Sequence, residues 1–291
     1  MSRPGGKRDA SHFVGVLGWP LEPTLSPLIH NVAFRQLGLD WIYLRWPVAP
    51  PDLPDAIRGM RALGAAGANV TMPHKETIVE HLDDLGGDAK AIGAVNTVQR
   101  SGDRLIGHNT DVVGFGEFLA GDAGFDPKGR SALVLGAGGA ARAVVKALAD
   151  LGAGEVTVAA RRDEAGREVA TLAAENSVEA ARHIAWGRAA ETVAGVDLVV
   201  NATSIGMRGE TLLSDAVFSS QQCVVDLVYS PPTTPFIEHA RSRGASAWGG
   251  LGMLVRQAAV SFTIWTGQPA PLEAMSAAAI RGIGHHSPPD L

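Results

Sequence analysis

Short apolar, β-prone runs alternate with helix-like segments along most of the 291 residues. In the first third of the chain, strands are predicted at residues 13–17, 41–44 and 67–71. Helices are predicted at 26–37 and 51–63, and another is expected to begin at His74. Residues 91–98 and 104–107 are predicted to form a further strand pair. This alternation is typical of α/β proteins with mostly parallel sheets.

A second unit begins after the Gly-rich stretch 121–130, with a buried-strand pattern at 132–135. The segment GAGGAAR follows at once at 136–142, and a helix is predicted to run to Leu151. A strand, a Gly-x-Gly-x-x-Ala turn and a helix together predict a loop whose backbone N–H groups hold a pyrophosphate. A purely structural glycine turn is the alternative. Further strands are predicted at 156–159, 197–200 and 224–227, as in a doubly wound Rossmann-type domain.

These patterns predict two domains, with helices at 251–265 and 271–280 that fold back onto the first unit. Residues 12–110 plus 249–282 form the predicted N-terminal α/β domain, which would bind substrate. Residues 111–248 form the predicted dinucleotide-binding domain. Residues 1–11 and 283–291 are expected to be disordered.

The charge balance favours a small-molecule partner. There are 25 Lys and Arg against 30 Asp and Glu, a net charge of −5, so no global positive field would attract nucleic acid or an anionic membrane. The single cysteine, Cys223, lies in an apolar run and is expected to be buried and inert, and no metal site is predicted. With no apolar leader at the N-terminus and no run that could span a bilayer, a cytoplasmic protein is expected, either a monomer or a homodimer.

The segment NVTMPHK at residues 69–75 places a lysine at a strand-to-helix junction. Such junctions line the ligand crevice of α/β proteins, where the amine of Lys75 could donate a proton or bind an anion. Asp111 is the candidate partner, because it also follows a strand and precedes a helix. A solvated surface lysine and an N-capping aspartate are the structural alternatives.

About 20 residues after the glycine loop, the chain carries Arg161 and Arg162 where an NAD-binding protein would have an acid. Guanidinium groups suit the 2′-phosphate of NADP, so NADP is the predicted cofactor, with NAD possible. The alternative is a solvated arginine pair, and Asp163 and Glu164 lie close enough to weaken the local positive charge.

Taken together, the chain closely resembles the shikimate dehydrogenase family. The resemblance rests on motifs that occur in the family's order across residues 13–280: NVTMPHK at 69–75, GAVNT at 93–97, NTD at 109–111, the glycine loop, NATS at 201–204, DLVYSP at 226–231 and GLGMLVRQ at 250–257. It implies an NADP-dependent enzyme that reduces 3-dehydroshikimate to shikimate, with Lys75 and Asp111 as the catalytic pair. The resemblance also implies the other contacts. Those to the substrate are Thr24, Ser26, Thr71, Asn96, Tyr229 and Gln257. Those to the cofactor are Gly136, Ala137, Gly138, Gly139, Ala140, Arg161, Arg162, Thr203, Ser204 and Gly250.

The first loop departs from the family pattern. It reads EPTLSP at 22–27, where the family usually has Ser-x-Ser-Pro. Thr24 keeps the hydroxyl but adds a methyl group, Glu22 brings an acid near a site for a carboxylate, and Ser26 is expected to cap the next helix as well. Ala160 also replaces an asparagine that is common in NADP-using relatives.

Several alternatives remain open at this stage. One is a quinate or aminoshikimate dehydrogenase of the same family, since these ring acids differ by single substituents. Another is a non-catalytic nucleotide-binding relative, and a third is a different two-domain oxidoreductase such as a methylene-tetrahydrofolate dehydrogenase. Individually, Asn96 could be a turn residue, Gln257 an exposed helix residue and Tyr229 an interface aromatic. His30 is expected to be a packing or surface histidine.

Overall fold

The computed structural model describes residues 12–21 and 24–284, which form two six-stranded sheets with helices packed against them. This is the predicted two-domain α/β architecture. The predicted tails 1–11 and 285–291 lie outside the described residues. Ile283 and Gly284 do not fit the prediction, because they belong to the last helix.

The first sheet takes up the N-terminal elements. In chain order these are β1 (His12–Gly18), α1 (Ser26–Gln36), β2 (Trp41–Pro47), α2 (Leu53–Leu63), β3 (Gly67–Val70), α3 (His74–Thr77), β4 (Asp84–Leu85), α4 (Gly87–Ile92), β5 (Thr97–Ser101) and β6 (Arg104–His108). Short 3-10 turns lie at Pro50–Asp52 and Ile78–His81. The strand order is β2-β1-β3-β5-β6-β4, in which β5 runs antiparallel to both neighbours.

The strand prediction for residues 91–98 was wrong over residues 91–96. Residues 87–92 form helix α4, which buries Ala89 and Ile92 at helical spacing. Gly93 ends this helix with a φ of +63°, a left-handed conformation that favours glycine. The strand begins only at Thr97. The apolar run AIGAV at 91–95 therefore has the composition of a strand, although its first two residues end a helix and its glycine is the C-cap.

The second sheet follows α5 (Thr110–Gly121). Its elements are β7 (Ser131–Leu135), α6 (Gly139–Asp150), β8 (Glu155–Ala160), α7 (Asp163–Glu175), β9 (Ala180–Ala185), α8 (Ala189–Val193), β10 (Leu198–Asn201), β11 (Cys223–Asp226), α9 (Pro235–Ser242) and β12 (Ser246–Gly249). All paired strands are parallel, in the order β12-β11-β10-β7-β8-β9. The chain direction across the sheet reverses between β7 and β10, which is where doubly wound sheets bind ligands.

The C-terminal helices return to the first sheet, as predicted. Helix α10 (Leu251–Thr266) and helix α11 (Leu272–Gly284) share a buried core with β1, β2 and α1. Helix α10 also packs along α5, and α5 packs against α6 of the second sheet. Helix α5 therefore connects the two halves, and it carries Asp111 in its first turn. Among the described residues, no helix has both the length and the apolar character needed to cross a membrane.

Candidate active site

Lys75 and Asp111 form an ion pair beside the glycine loop. The ammonium Nζ of Lys75 lies 2.6 Å from Oδ2 of Asp111. Lys75 is held in α3, where its carbonyl oxygen accepts a 2.7 Å hydrogen bond from the N–H of Val95. Side-chain exposure is 18% for Lys75 and 8% for Asp111, so the pair is largely sheltered from water but still open on the lysine side.

Asn96 fixes the carboxylate of Asp111. Its Nδ2 donates to Oδ1 of Asp111 at 2.8 Å and to Oγ1 of Thr110 at 2.9 Å. Its Oδ1 accepts from the N–H of Thr110 at 2.7 Å and from Oγ1 of Thr97 at 3.0 Å. These bonds use both amide hydrogens and both acceptor positions of the side chain. The side chain of Asn96 is therefore firmly held, because its amide can face only one way.

Asp111 does not cap helix α5, which was the structural alternative for this residue. The N-cap residue is Asn109, whose Oδ1 accepts a 3.1 Å bond from the N–H of Asp111. Asn109 also donates from Nδ2 to the carbonyl oxygen of Ala94 at 2.9 Å. Because asparagine satisfies the helix end, the carboxylate of Asp111 remains available to Lys75.

Behind Asn96 lies a buried group of hydroxyls that the sequence did not reveal. Oγ of Ser261, on α10, lies 2.8 Å from Oγ1 of Thr97 and 3.2 Å from Oγ1 of Thr110. Asn69 donates from Nδ2 to Ser261 and to Thr97, both at 3.0 Å. Asn69 could have been noticed as a polar residue inside an apolar strand. Ser261 had no comparable signal, since it lies on a helix 150 residues after Asp111.

The first loop brings several predicted substrate contacts together. Oγ1 of Thr24 donates to Oγ of Ser26 at 3.2 Å. Thr24 and Leu25 also lie close to the phenol of Tyr229, and burial raises the pKa of that phenol. Ser26 lies close to Tyr43, whose hydroxyl donates to Oδ1 of Asn69 at 2.7 Å. The loop is thus connected through Tyr43 to the hydroxyl group behind Asn96.

The prediction that Ser26 caps helix α1 was wrong. The N-cap residue is Leu25, which makes no side-chain capping bond, and Ser26 is the first helical residue. Its hydroxyl faces Thr24 and Tyr43 instead. Glu22, the acid expected near this loop, lies outside the described residues.

Gln257 and Thr71 lie at the edges of this group. Gln257 is half-buried on α10, with its Oε1 3.5 Å from Oγ1 of Thr110. Thr71 directly follows β3, and its N–H donates to the carbonyl of Leu17 at 2.8 Å. His30 belongs to the core, as expected of a packing residue: its ring stacks on Tyr43 with centroids 4.5 Å apart.

The glycine loop has the backbone arrangement that a dinucleotide phosphate requires. Gly138 is the N-cap of α6, no side chain caps this helix, and a methyl group at Gly138 would meet nothing within 4 Å. The first-turn N–H groups of Gly139 and Ala140 have no acceptor within the helix, so a ligand can bind them. Gly136 has a φ of +113°, and a methyl group there would lie 3.1 Å from both the carbonyl of Ala202 and Cγ2 of Thr203. The loop therefore fits a pyrophosphate, while the turn after β10 closes its other side.

Other predicted cofactor residues surround this loop. Thr203 holds its own turn, donating from Oγ1 to Oδ1 of Asn201 at 2.7 Å, and Ser204 follows it. Gly250 has a packing role, since a methyl group there would overlap the carbonyl of Leu227. Arg161 and Arg162 are exposed at the end of β8, with Arg162 as the N-cap of α7.

The acid next to these arginines does not neutralise them. The carboxylate of Asp163 lies 3.8 Å from Arg167 and 3.8 Å from His183, further into α7 and β9. Cys223 is buried, and burial raises the pKa of its thiol to about 12, so it stays a neutral packing residue. Within residues 12–21 and 24–284, no group of three or more His, Cys, Asp or Glu side chains could hold a metal ion.

Three family models match the chain. The model of the shikimate dehydrogenase substrate binding domain matches residues 16–98. The shikimate / quinate 5-dehydrogenase model matches residues 119–223, and the shikimate 5′-dehydrogenase C-terminal domain model matches residues 250–280. Together they span both sheets and the returning helices.

Individual relatives are similar over nearly the whole chain. The shikimate dehydrogenase (NADP(+)) of Moorella thermoacetica is 44% identical over 285 residues, covering 96% of each chain. The Thermus thermophilus shikimate 5-dehydrogenase, solved with NADP(H) and shikimate, is 37% identical with a TM-score of 0.83, covering 93% of this chain and 99% of that one. The Corynebacterium glutamicum quinate dehydrogenase, solved with NAD, is 28% identical with a TM-score of 0.85 and the same coverage.

Proposed function

The chain belongs to the shikimate dehydrogenase family, and on this basis we propose that it is an NADP-dependent enzyme that reduces 3-dehydroshikimate to shikimate, reversibly. The observation that carries the proposal is the Lys75–Asp111 pair at 2.6 Å, placed beside a glycine loop that fits a pyrophosphate. A protein that only binds a nucleotide has no use for a partly buried lysine–carboxylate pair next to that loop.

The surrounding side chains suit a ring acid with several hydroxyls. Thr24, Ser26 and Tyr229 converge at the first loop, where they could bind the substrate carboxylate. Gln257 lies beside Thr110, and Thr71 directly follows β3; both could contact ring hydroxyls. A polyhydroxylated ligand needs this combination of hydroxyl, amide and phenol groups in one pocket.

Lys75 acts in this mechanism as the proton donor. NADPH, when bound, supplies the hydride that the substrate's ring carbonyl carbon accepts. As negative charge builds on the carbonyl oxygen, the ammonium of Lys75 stabilises it and transfers one proton to it, giving the alcohol. Asp111 holds the ammonium in place, and Asn96 holds Asp111. In the reverse direction Lys75 accepts the proton from the hydroxyl.

The cofactor assignment to NADP is supported by the residues after β8. Gly136, Ala137, Gly138, Gly139 and Ala140 would hold the pyrophosphate. Arg161 and Arg162 would hold the 2′-phosphate, because the nearest acid, Asp163, is directed toward Arg167 and His183. Thr203, Ser204 and Gly250 complete the proposed cofactor contacts around the reversal point of the sheet.

We propose residues 12–110 plus 249–282 as the substrate-binding domain and 111–248 as the cofactor-binding domain. Helix α5 begins at this boundary and packs against both halves. We also propose a cytoplasmic location, for which the single, buried Cys223 is suited, and a monomeric or homodimeric state. Cell fractionation and light scattering test these two points.

The test of the function compares Lys75→Ala and Asp111→Asn with Lys90→Ala, an exposed lysine on α4. Reduction of 3-dehydroshikimate by NADPH should show kcat lowered about 10²-fold or more in Lys75→Ala, the usual scale for a positioned acid, with a smaller change in KM. Lys90→Ala should match the unaltered enzyme. A normal kcat in Lys75→Ala would overturn the catalytic role of Lys75. Faster oxidation of quinate than of shikimate would overturn the assignment of shikimate as the substrate.

A further inference from the structure

The glycine loop and the catalytic lysine touch each other. A methyl group at Gly139, the first residue of α6, would lie 3.1 Å from Cδ and 3.2 Å from Cβ of Lys75. The same methyl group would lie 3.7 Å from Cβ of Ala94, which lies between α4 and β5. The hydrocarbon stem of Lys75 therefore rests directly on the backbone of the loop that is proposed to hold the cofactor.

Lys75 cannot easily move away from this contact. Its Nζ is held by Asp111 at 2.6 Å, and its carbonyl oxygen by the N–H of Val95 at 2.7 Å. A rotation of the side chain could shift Cδ only by breaking the bond to Asp111. Cβ is attached to the backbone, so no rotation moves it, and α3 would have to shift with it.

The neighbouring glycine has the opposite surroundings. A methyl group at Gly138 would meet no atom within 4 Å, on the side left open for the phosphate. Gly139 has an ordinary φ, so the backbone conformation itself does not demand glycine there. What demands glycine at 139 is the approach of Lys75.

We propose that Gly139 is a positioning residue for Lys75: the missing side chain lets the cofactor loop and α3 come together so that the ammonium reaches both Asp111 and the substrate oxygen. The proposal rests on the catalytic role proposed for Lys75. It adds a second role to a glycine otherwise assigned only to the cofactor. Any separation of the loop from α3 would then misplace the proton donor.

The test is a double-mutant cycle with Gly139→Ala and Lys75→Ala. Alone, Gly139→Ala should lower kcat about tenfold at saturating substrates, since sub-ångström misplacement of a reacting group is costly. The dissociation constant of NADPH without substrate, measured by its fluorescence, should change less than about twofold. In the Lys75→Ala background, Gly139→Ala should change kcat less than about twofold, because no ammonium remains to be displaced.

Two further variants act as comparisons. Gly138→Ala should weaken NADPH binding, since its methyl group points into the phosphate side. Gly59→Ala, in helix α2 with nothing within 4 Å, should behave as the unaltered protein. Because the cycle compares ratios, any loss of folded protein common to both backgrounds cancels.

The outcomes separate the two proposals. If Gly139→Ala lowers kcat equally with and without Lys75, or weakens NADPH while kcat is unchanged, the positioning role is wrong. If Lys75→Ala itself retains a normal kcat, the catalytic role proposed for Lys75 is wrong, and the role proposed for Gly139 is wrong with it. A strong effect of Lys75→Ala with none from Gly139→Ala overturns only the inference about the glycine.

Discussion

At the scale of single residues, the Lys75–Asp111 pair depends on the side chains behind it. A partly buried ion pair gains little unless its remaining hydrogen-bonding positions are filled, because both charges lose water on burial. Asn96 fills the second oxygen of Asp111, and Thr97 and Thr110 hold Asn96 in turn. The geometry of the ion pair is therefore a property of a polar group that reaches back to α10, rather than of two residues.

Arg161 is expected to distinguish NADP from NAD. Arg161→Ala removes a guanidinium that would bind only the 2′-phosphate, so affinity for NADP should fall about tenfold to a hundredfold, the range for a lost charged hydrogen bond. Affinity for NAD should stay within about twofold. Titration of both cofactors with the variant checks this.

The matched control for Arg161 is Arg182→Ala. Arg182 is another exposed arginine of the same sheet, and it pairs with Glu155 at 2.6 Å. It lies opposite Thr157 in the first half of β9, whereas Arg161 follows the last residue of β8. It should leave both affinities unchanged. Equal losses for NADP and NAD in Arg161→Ala would mean that the arginine does not read the phosphate.

How far the sequence could predict this site depended on whether each partner carried a local signal. Lys75 and Asp111 stood at strand-to-helix junctions, which meet at one edge of parallel sheets, so their pairing could be expected. Whether Asp111 or Asn109 capped α5 could not be decided, since both residue types cap helices and lie two positions apart. Ser261 could not be found at all, because its partners come from β3, β5 and α5, which are distant in the sequence.

At the scale of elements, the crossing of α5 and α10 places Gln257 and Ser261 near Asp111. The two helices approach so closely that a methyl group at Gly114 would lie 2.8 Å from the backbone nitrogen of Gln257. A methyl group at Gly252 would lie 2.7 Å from the ring of Phe118. Arg256 then binds Asp122 at the end of α5, with its Nε 2.8 Å from Oδ2. The helical segments were predictable from periodicity, but this close contact was not, since it depends on glycines that sequence alone reads as weak helix formers.

Gly114→Ala and Gly116→Ala should change stability in opposite directions, although both lie in α5. At Gly114 the obstructing atoms are backbone, so the overlap should cost about 1–3 kcal/mol of unfolding free energy, beyond the gain in helix propensity. At Gly116 a methyl group would lie 3.6 Å from Leu151, an ordinary contact, so the variant should be about 0.5–1 kcal/mol more stable.

Urea unfolding of the two glycine variants measures both values. Gly114→Ala should also raise KM for the ring acid, because it displaces the backbone of Gln257, whereas Gly116→Ala should not. Equal stability of the two variants would mean that α5 and α10 can separate without cost, and that the crossing does not fix Gln257.

At the scale of the whole molecule, the chain leaves the first sheet, builds the second and returns through α10 and α11. This return could be predicted because two short helices cannot form a domain alone. It places residues from both ends of the sequence in one core, in which His30 stacks on Tyr43 and lies near Trp265 with centroids 5.3 Å apart. Neither ring nitrogen of His30 has a hydrogen-bond partner among the described residues. Protonation of His30 would therefore destabilise the folded protein as a whole.

That cost predicts how stability depends on pH. Burial lowers the pKa of His30 to about 3, from about 6.5 in an unfolded chain. Between these values the unfolded state binds a proton that the folded state excludes, so unfolding free energy falls as pH falls below about 6.5. A single such group contributes a slope of about 1.4 kcal/mol per pH unit, or roughly 2 kcal/mol between pH 7 and pH 5. The carboxyls of Asp83, Asp197 and Glu210 have lowered pKa values and act only at more acid pH.

His30→Leu should remove this slope whatever it does to stability at neutral pH. Unfolding free energy is measured by urea titration at half-unit steps from pH 8 to pH 5. Below pH 6 it should fall less steeply with pH in the variant, and the difference in slope should correspond to nearly one bound proton. Above pH 7.5 the two proteins should run parallel, because the ring is neutral in both states. His108→Gln is the comparison: partial burial also lowers the pKa of His108, so this variant should flatten the profile less. An unchanged slope in His30→Leu would show that water reaches His30 and that the returning helices do not seal this core.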